Sequence, residues 1–181
     1  MAEPMAGPAP VVIDASVGIG LIRGESIAPE VRAALRQARA AETRLLVPSI
    51  FWLEVVNSLA GRHRLPPGVI LEAVAELDAL ELETVEVDRP LLLVVVDEMA
   101  QHGLTAYDAA YLALATGAGA RLLTADVRLA SAAGNQAVLL TDPGAPPAPR
   151  GIAEATARYV PSWSSWPGAA AYLRDLRARL A

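Results

Sequence analysis

Four acidic side chains stand in apolar surroundings, where an unbound carboxylate is costly. Each interrupts or directly follows an apolar run of the chain: Asp14 after VVI, Glu54 within IFWLEVV, Asp108 within TAYDAAYLALA and Asp126 after LLTA. If the four side chains converge, mutual repulsion and loss of hydration favour protonation unless a cation lies between them. The pattern therefore indicates a cation site made of carboxylates.

The composition of the chain favours a hard cation at such a site. There is no cysteine, and there are only two histidines, so oxygen atoms are the ligands on offer. Oxygen ligands favour Mg²⁺, with Mn²⁺ as a close substitute, over zinc or copper. A metal of this kind makes bound water a better nucleophile and neutralises charge on a phosphate. The acids thus indicate phosphoryl transfer.

Each acid also has an ordinary structural interpretation. An aspartate after a strand often caps the following helix, and this applies to Asp14 and Asp126. Glu54 can face solvent along a small polar strip of its helix. Asp108 falls in a first helical turn, where the helix dipole favours negative charge. Four acids in apolar settings nevertheless favour one shared role over four separate ones.

The elements that must position these acids form an α/β pattern. From Pro10 to about Thr141, short β-branched runs alternate with longer helical patterns, which predicts a parallel sheet covered by helices. Strands are predicted at 11–13, 45–47, 82–87, 121–124 and 137–140. Because parallel strands end at the same edge, Asp14 and Asp126 are expected there together, where open α/β sheets bind ligands.

Capping residues and prolines predict the helix limits. The expected signals, in chain order, are Ser16 capping a helix through Ile22, Pro29 in a first turn, Ser49 as a cap with Gly61 as the stop, Pro66 and Pro67 as a start, Arg89 and Pro90 as a start, Thr105 as a cap, and a short helix after Asp126.

The chain divides by composition into four parts. Residues 1–10 are expected to form a disordered leader that lacks the basic and apolar segments of a signal peptide. Residues 11–141 form the domain, 142–151 a Pro/Gly-rich linker, and 152–181 a helical extension with a leucine stripe that must be covered by something.

Charge and composition narrow the class of protein. The net charge is -5 and the chain has no lysine, so it does not resemble a passive nucleic-acid binder, whose affinity comes from a basic balance. No stretch of 18 residues is free of charge, so no membrane span and no membrane partner are expected. The lack of cysteine makes an intracellular, cytoplasmic location the default expectation.

The four acidic segments, VVIDASV, PSIFWLEVVNSL, HGLTAYDAAYLALA and ARLLTADVRLA, resemble in order and spacing the conserved acidic blocks of the PIN-domain family. The subgroup they resemble most is the VapC-like ribonuclease toxins of bacterial toxin-antitoxin pairs. The resemblance covers roughly residues 11–140, and its third and fourth blocks are the most specific.

This resemblance implies a PIN-like three-layer sandwich with a five-stranded parallel sheet, one or two Mg²⁺ ions, endonucleolytic cleavage of single-stranded or looped RNA, and inhibition by a cognate antitoxin. Carried over residue by residue, it implies metal-binding and water-activating positions at Asp14, Glu54, Asp108 and Asp126, and supporting hydroxyls at Ser16 and Thr124.

Alternatives remain open at this point. The main rival is a PIN-like binding or scaffold protein whose acids are idle. A phosphohydrolase or receiver-like domain with Asp14 as nucleophile fits less well, since there is no lysine and no Gly-rich phosphate loop. The extension, outside the resemblance, is expected to pack on the domain or across a homodimer. Its alternative role is to mimic an antitoxin tail, with Trp163, Trp166, Arg174, Arg177 and Arg179.

Overall fold

A five-stranded parallel sheet forms the centre of the protein. The computed structural model describes residues 8–140, so most of the predicted leader, the linker and the extension lie outside the described residues. The strands are β1 (Val11–Ile13), β2 (Leu45–Pro48), β3 (Glu83–Val85), β4 (Arg121–Thr124) and β5 (Ala137–Leu139). All five predicted strands are confirmed, with ends shifted by no more than two residues.

The strand order is β3-β2-β1-β4-β5, with every neighbouring pair parallel. Val12 of β1 is opposite Leu46 on one side and Leu122 on the other. All three side chains are buried, as expected for central strands with both faces covered by helices. The order of the strands reverses between β1 and β4, so these two strands mark the switch point of the sheet.

Within residues 8–140, seven α-helices cover the sheet in two groups. Their limits are α1 (Ala15–Ile22), α2 (Ala28–Ala40), α3 (Ile50–Asn57), α4 (Pro67–Asp78), α5 (Arg89–His102), α6 (Ala106–Ala118) and α7 (Val127–Ala133). Helix α1 contacts α2, α3 and α4, whereas α6 contacts α5, α7 and strands β1, β2 and β4. The three-layer arrangement predicted from the sequence is confirmed.

Most of the predicted helix starts agree with the structure. The prolines at the starts of α2, α4 and α5 lie in the first turn, where a missing backbone N–H costs nothing. Thr105 caps α6 by accepting a bond from the amide of Asp108 at 3.2 Å. Ser49 precedes α3 as expected, but its hydroxyl accepts from the amide of Val87 at 3.3 Å and makes no cap bond.

Two further predicted helix signals are wrong. Helix α1 starts at Ala15 with Asp14 at the N-cap position, so Ser16 lies inside the first turn and its hydroxyl bonds elsewhere. Gly61 does not stop the α3 segment, because a π-helical turn over Ser58–Arg62 continues it. The buried side chain of Leu59 in this turn packs in the core, and tertiary packing outweighs the local preference of glycine.

Close packing of α1 on α3 depends on Gly18. A Cβ atom at this position would lie 2.9 Å from Cζ of the buried Phe51 ring, nearer than side chains tolerate. Gly18 is one turn after Asp14, and Phe51 is one turn before Glu54. The contact therefore sets the spacing between the two helices that follow or carry these acids.

Helix α6 packs against strands β1, β2 and β4 of the sheet. Every side chain from Ala109 to Ala115 is buried, which places this helix in the core. Among residues 8–140, no helix combines the length and the apolar character needed to cross a membrane. The contacts of α6 with the sheet and with α5 and α7 fix the direction of the side chains in its first two turns.

Candidate active site

Asp14 and Asp126 lie at the switch point of the sheet. Asp14 directly follows β1, Asp126 lies two residues after β4, and these strands are neighbours. The amide of Asp14 donates to the carbonyl of Leu123 at 3.0 Å, which continues the pairing beyond the last residue of β1. The expectation that both aspartates emerge at one edge is confirmed. The reason is the polarity of parallel strands.

Asp14 is the most deeply buried of the four acids, with 7% of its surface exposed. Its Oδ2 accepts bonds from Ser16 Oγ at 2.5 Å and Thr124 Oγ1 at 2.6 Å. Burial raises the pKa of Asp14 despite these two bonds, and the charges of Asp108 and Asp126 raise it further. A carboxylate in this position is stabilised by a nearby cation.

The two hydroxyls that hold Asp14 also hold the loop after β4. Ser16 Oγ accepts from the amide of Ala125 at 3.0 Å, and Thr124 Oγ1 accepts from the amide of Asp126 at 2.9 Å. Each hydroxyl therefore uses its proton on Asp14 and a lone pair on the backbone of the neighbouring loop. This network fixes the two strand ends relative to each other.

Glu54 lies in the second turn of α3 and is half-buried. Tyr111 Oη donates to its Oε2 at 2.5 Å. Burial raises the pKa of Glu54 to about 7, the bond from Tyr111 opposes this rise, and the charges of Asp14 and Asp108 add to it. Glu54 thus faces the other acids and does not lie free along a solvent strip.

Tyr111 is a residue that the sequence reasoning missed. It is 1% exposed, and its own pKa is raised well above the ordinary value by burial and by the charges of Asp14 and Glu54. A buried tyrosine needs a partner for its hydroxyl, and its place three residues after Asp108 puts both on one face of α6. That spacing was the signal available in the sequence.

Asp108 is held by the residue that caps its helix. Thr105 Oγ1 accepts from the amide of Asp108 and donates to its Oδ2 at 2.8 Å. Burial raises the pKa of Asp108 and the charge of Asp126 raises it further, while Thr105 and the positive charge of Arg128 lower it. The location of Asp108 in a first helical turn is confirmed, and the charges of Asp126 and Arg128 shift its pKa in opposite directions.

Asp126 caps α7, as its structural interpretation predicted. Its Oδ1 accepts from the amides of Arg128 at 2.7 Å and Leu129 at 3.0 Å. Both bonds end on the same oxygen, so capping occupies one of the two oxygens of this carboxylate. Capping and ligand binding are therefore compatible at this residue.

The four acids form one electrostatic group. The charges of Asp108 and Asp126 raise the pKa of Asp14, and the charges of Asp14 and Asp108 raise the pKa of Glu54. Within residues 8–140, however, no three carboxylate or imidazole groups lie close enough together to form a complete cage for a metal. Mg²⁺ in nucleases commonly takes one or two protein carboxylates and completes its shell with water and phosphate. The all-oxygen donor set, with three raised pKa values, fits such an ion.

Comparisons with known proteins place the chain in a family. The sequence model of the PIN domain matches residues 11–135, which include all four acids. The chain is 35% identical over 133 residues to Ribonuclease VapC3 of Mycobacterium tuberculosis, in both strain CDC 1551 / Oshkosh and strain H37Rv, covering 72% of this chain and 93% of that protein. The chain belongs to the PIN-domain family.

Solved structures share the fold of this PIN domain. A toxin-antitoxin complex from Klebsiella pneumoniae matches with a TM-score of 0.52 and 18% identity, covering 71% of this chain and 95% of that chain. The sarcin-ricin loop cleaving toxin VapC20 of Mycobacterium tuberculosis matches with a TM-score of 0.53 and 15% identity, covering 67% and 94%. At identities of 18% and 15%, this likeness concerns the fold alone.

Proposed function

We propose that this PIN domain is a metal-dependent endoribonuclease and the toxin of a type II toxin-antitoxin pair. The observation that carries the proposal is the buried carboxyl of Asp14, held by two hydroxyls and facing the charges of Asp108 and Asp126. Such a group of acids is unfavourable without a cation. The 35% identity to a ribonuclease over nearly its whole length supports the choice of RNA as substrate.

Asp14, Glu54, Asp108 and Asp126 are the residues that would hold Mg²⁺, or Mn²⁺ in its place. When bound, the ion supplies charge neutralisation at the phosphate and makes water a better nucleophile. The protein contributes orientation. Ser16 and Thr124 fix Asp14, Thr105 fixes Asp108, and Tyr111 fixes Glu54.

Glu54 is also suited to proton transfer. In the metal-free protein burial raises its pKa to about 7, which is the range in which a carboxylate can accept a proton near neutral pH. Tyr111 Oη bonds to Oε2, which leaves Oε1 as the oxygen that would hold the ion or accept a proton from water. The products of the reaction are two RNA fragments, one of which carries the phosphate.

Cleavage of a single-stranded RNA tests the activity. We expect cleavage with Mg²⁺, none with EDTA, and none for Asp14→Asn or Asp126→Asn, while Asp78→Asn, an exposed acid at the end of α4, cleaves like the unchanged protein. If both site variants cleave normally, the site assignment is wrong. If the unchanged protein binds RNA or a protein partner without cleavage under any divalent metal, the idle scaffold interpretation replaces the nuclease.

The antitoxin is the proposed protein partner. One fold relative is a toxin-antitoxin complex, which favours a partner of that class. We expect expression of the chain alone to arrest bacterial growth, and co-expression of the small gene next to it to restore growth. Arrest that persists with Asp14→Asn, or cleavage that the neighbouring product does not inhibit, would contradict the toxin assignment.

A homodimer is the proposed assembly. Leu92, Leu93 and Val96 of α5 are 48%, 74% and 56% exposed and lie on one side of the helix. Adjacent exposed apolar side chains commonly mark an interface between proteins. Light scattering should give the mass of a dimer for the unchanged chain and of a monomer for Leu93→Glu, with Val69→Glu on α4 as the control. A monomeric mass for the unchanged chain contradicts the dimer.

A further inference from the structure

Arg128 lies at the edge of the carboxylate group and is fixed at two points. Its backbone amide donates to Asp126 Oδ1 at 2.7 Å, and its guanidinium Nη2 donates to the carbonyl of Gly103 at 3.2 Å. Gly103 ends α5 two residues before Thr105, the residue that holds Asp108. The side chain therefore connects the loop that carries Asp126 with the loop that leads to Asp108.

The positive charge of Arg128 is available to a ligand. The residue is exposed, and within residues 8–140 no carboxylate lies in ion-pair distance of its guanidinium. One of its five N–H donors is used on Gly103, which leaves donors for a second partner. Its charge also acts on the site itself, since it lowers the pKa of Asp108.

The positive charge of Arg128 reduces the repulsion between this acidic protein and RNA. The chain has a net charge of -5, and its site is a group of acids, so a polyanion is repelled from the surface it must reach. A guanidinium matches the geometry of a phosphate with paired N–H donors, and an anchored side chain loses little freedom on binding. RNA whose scissile phosphate lies at the acids carries its next phosphate a short distance along the strand.

We propose that Arg128 forms a phosphate subsite beside the four carboxylates and binds the phosphodiester next to the scissile one in single-stranded RNA. The inference rests on the proposed nuclease function for the identity of the ligand. Arg128 is a substrate-binding residue in this proposal, and it takes no part in the chemical step.

The experiment uses the full chain and its Arg128→Gln and Arg121→Gln variants. Arg128→Gln keeps the backbone amide that caps α7, so the fold is preserved. Arg121 is an exposed arginine at the start of β4, at the opposite edge of the sheet, and is the matched control. Binding of a fluorescein-labelled single-stranded RNA is measured by anisotropy in EDTA over a series of salt concentrations, and cleavage is measured separately with Mg²⁺.

We expect Arg128→Gln to weaken RNA binding about 5- to 50-fold at low salt. It should also reduce the slope of log affinity against log salt by about 0.7, the value for one contact with single-stranded nucleic acid. KM should rise while kcat changes little, as for a residue that binds substrate and transition state equally. Arg128→Lys should restore part of the affinity, and Arg121→Gln should behave like the unchanged protein.

Equal salt slopes for Arg128→Gln and Arg121→Gln overturn the subsite. The subsite is also overturned if Arg128→Gln changes only the affinity for Mn²⁺ measured without RNA. That result would mean that Arg128 acts only by lowering the negative charge near Asp108. Failure of the nuclease proposal looks different: the unchanged chain then cleaves no RNA under any metal. An Arg128-dependent salt slope in that case still supports the phosphate subsite.

Discussion

The hydroxyl of Tyr111 lies 2.5 Å from Glu54 Oε2 and joins α6 to α3 across 57 positions of sequence. Both groups are largely buried, and burial is the main cause of the raised pKa of each. The hydroxyl donates to the carboxylate and opposes the rise in the pKa of Glu54. This bond gives Glu54 a single orientation toward Asp14 and Asp108.

Tyr111→Phe should weaken metal binding and cleavage without unfolding the protein. Without the hydroxyl, the carboxylate loses its donor, its pKa rises further, and the free energy of unfolding falls by about 1–3 kcal/mol. Mn²⁺ affinity measured by electron paramagnetic resonance should fall in parallel with kcat. Tyr107→Phe, at an exposed tyrosine of the same helix, is the control. Unchanged Mn²⁺ affinity in Tyr111→Phe would show that the bond does not orient a metal ligand.

The metal-free protein should lose stability as the pH rises through about 7. The pKa of Glu54 is raised from 4.5 to about 7, so the folded state binds a proton that the unfolded state releases between these values. The related stability is fully present below pH 4.5 and is lost above pH 7, with a size of about 3 kcal/mol. Burial shifts the pKa values of Asp14 and Asp108 in the same direction.

Urea unfolding in EDTA between pH 5 and pH 9 measures this effect. Glu54→Gln should flatten the dependence, and Glu72→Gln, an exposed glutamate on α4, should leave it intact. Added Mg²⁺ should raise the melting temperature most at high pH, because it binds the deprotonated acids of the folded state. A profile that is flat between pH 5 and pH 9 for the unchanged protein contradicts the raised pKa of Glu54.

Thr124→Val should destabilise the fold more than a typical change of threonine to valine. The hydroxyl of Thr124 is fully buried, donates to Asp14 and accepts from the amide of Asp126. Its removal takes the acceptor from the amide of Asp126 and leaves Ser16 as the remaining hydroxyl donor to Asp14, at a cost of about 1–3 kcal/mol in all. Thr84→Val removes only an exposed bond from Trp52 and should change stability little. Equal melting temperatures for the two variants would contradict the network.

Substitutions of Asp126 should separate its two roles. Asp126→Asn keeps an oxygen that accepts from the amides of α7, so it should fold normally and lose cleavage at least 100-fold. Asp126→Ala loses the cap as well, which should lower the free energy of unfolding by about 1 kcal/mol. Circular dichroism melts and RNA cleavage rates measure the two effects. Cleavage by Asp126→Asn at the rate of the unchanged chain would limit Asp126 to capping.

Truncation after Arg150 tests the two roles expected for the extension. If the extension packs on the domain or across a dimer, its removal lowers the stability of the protein or the mass of the assembly. The cleavage rate per folded domain then stays unchanged. As a mimic of an antitoxin tail, the extension would cover the four carboxylates, and its removal would increase RNA cleavage and toxicity. The cleavage rate of the truncated chain distinguishes the two, and unchanged cleavage eliminates the inhibitory role.

The sequence by itself determined the frame of the site. Strands β1, β2, β4 and β5 are short, largely apolar runs, β3 is a short run that contains β-branched residues, and the parallel arrangement follows from the helices between the strands. Strand polarity then places Asp14 and Asp126 at one edge, because both follow strands that run in the same direction. The Thr105 cap and the place of Asp108 in the first turn of α6 are equally local, since the two residues are three positions apart and one bond joins the amide of Asp108 to Thr105.

Only the tertiary structure decided which groups hold the acids. Tyr111 and Glu54 are 57 residues apart, and Thr124 and Asp14 are 110 apart, so no local pattern pairs them. The same holds for Ser16, whose expected cap is replaced by bonds to Asp14 and to the loop after β4. Buried polar groups must form hydrogen bonds, and their partners are the groups that the packed core brings close in space. The order of residues along the chain does not show which distant groups come close.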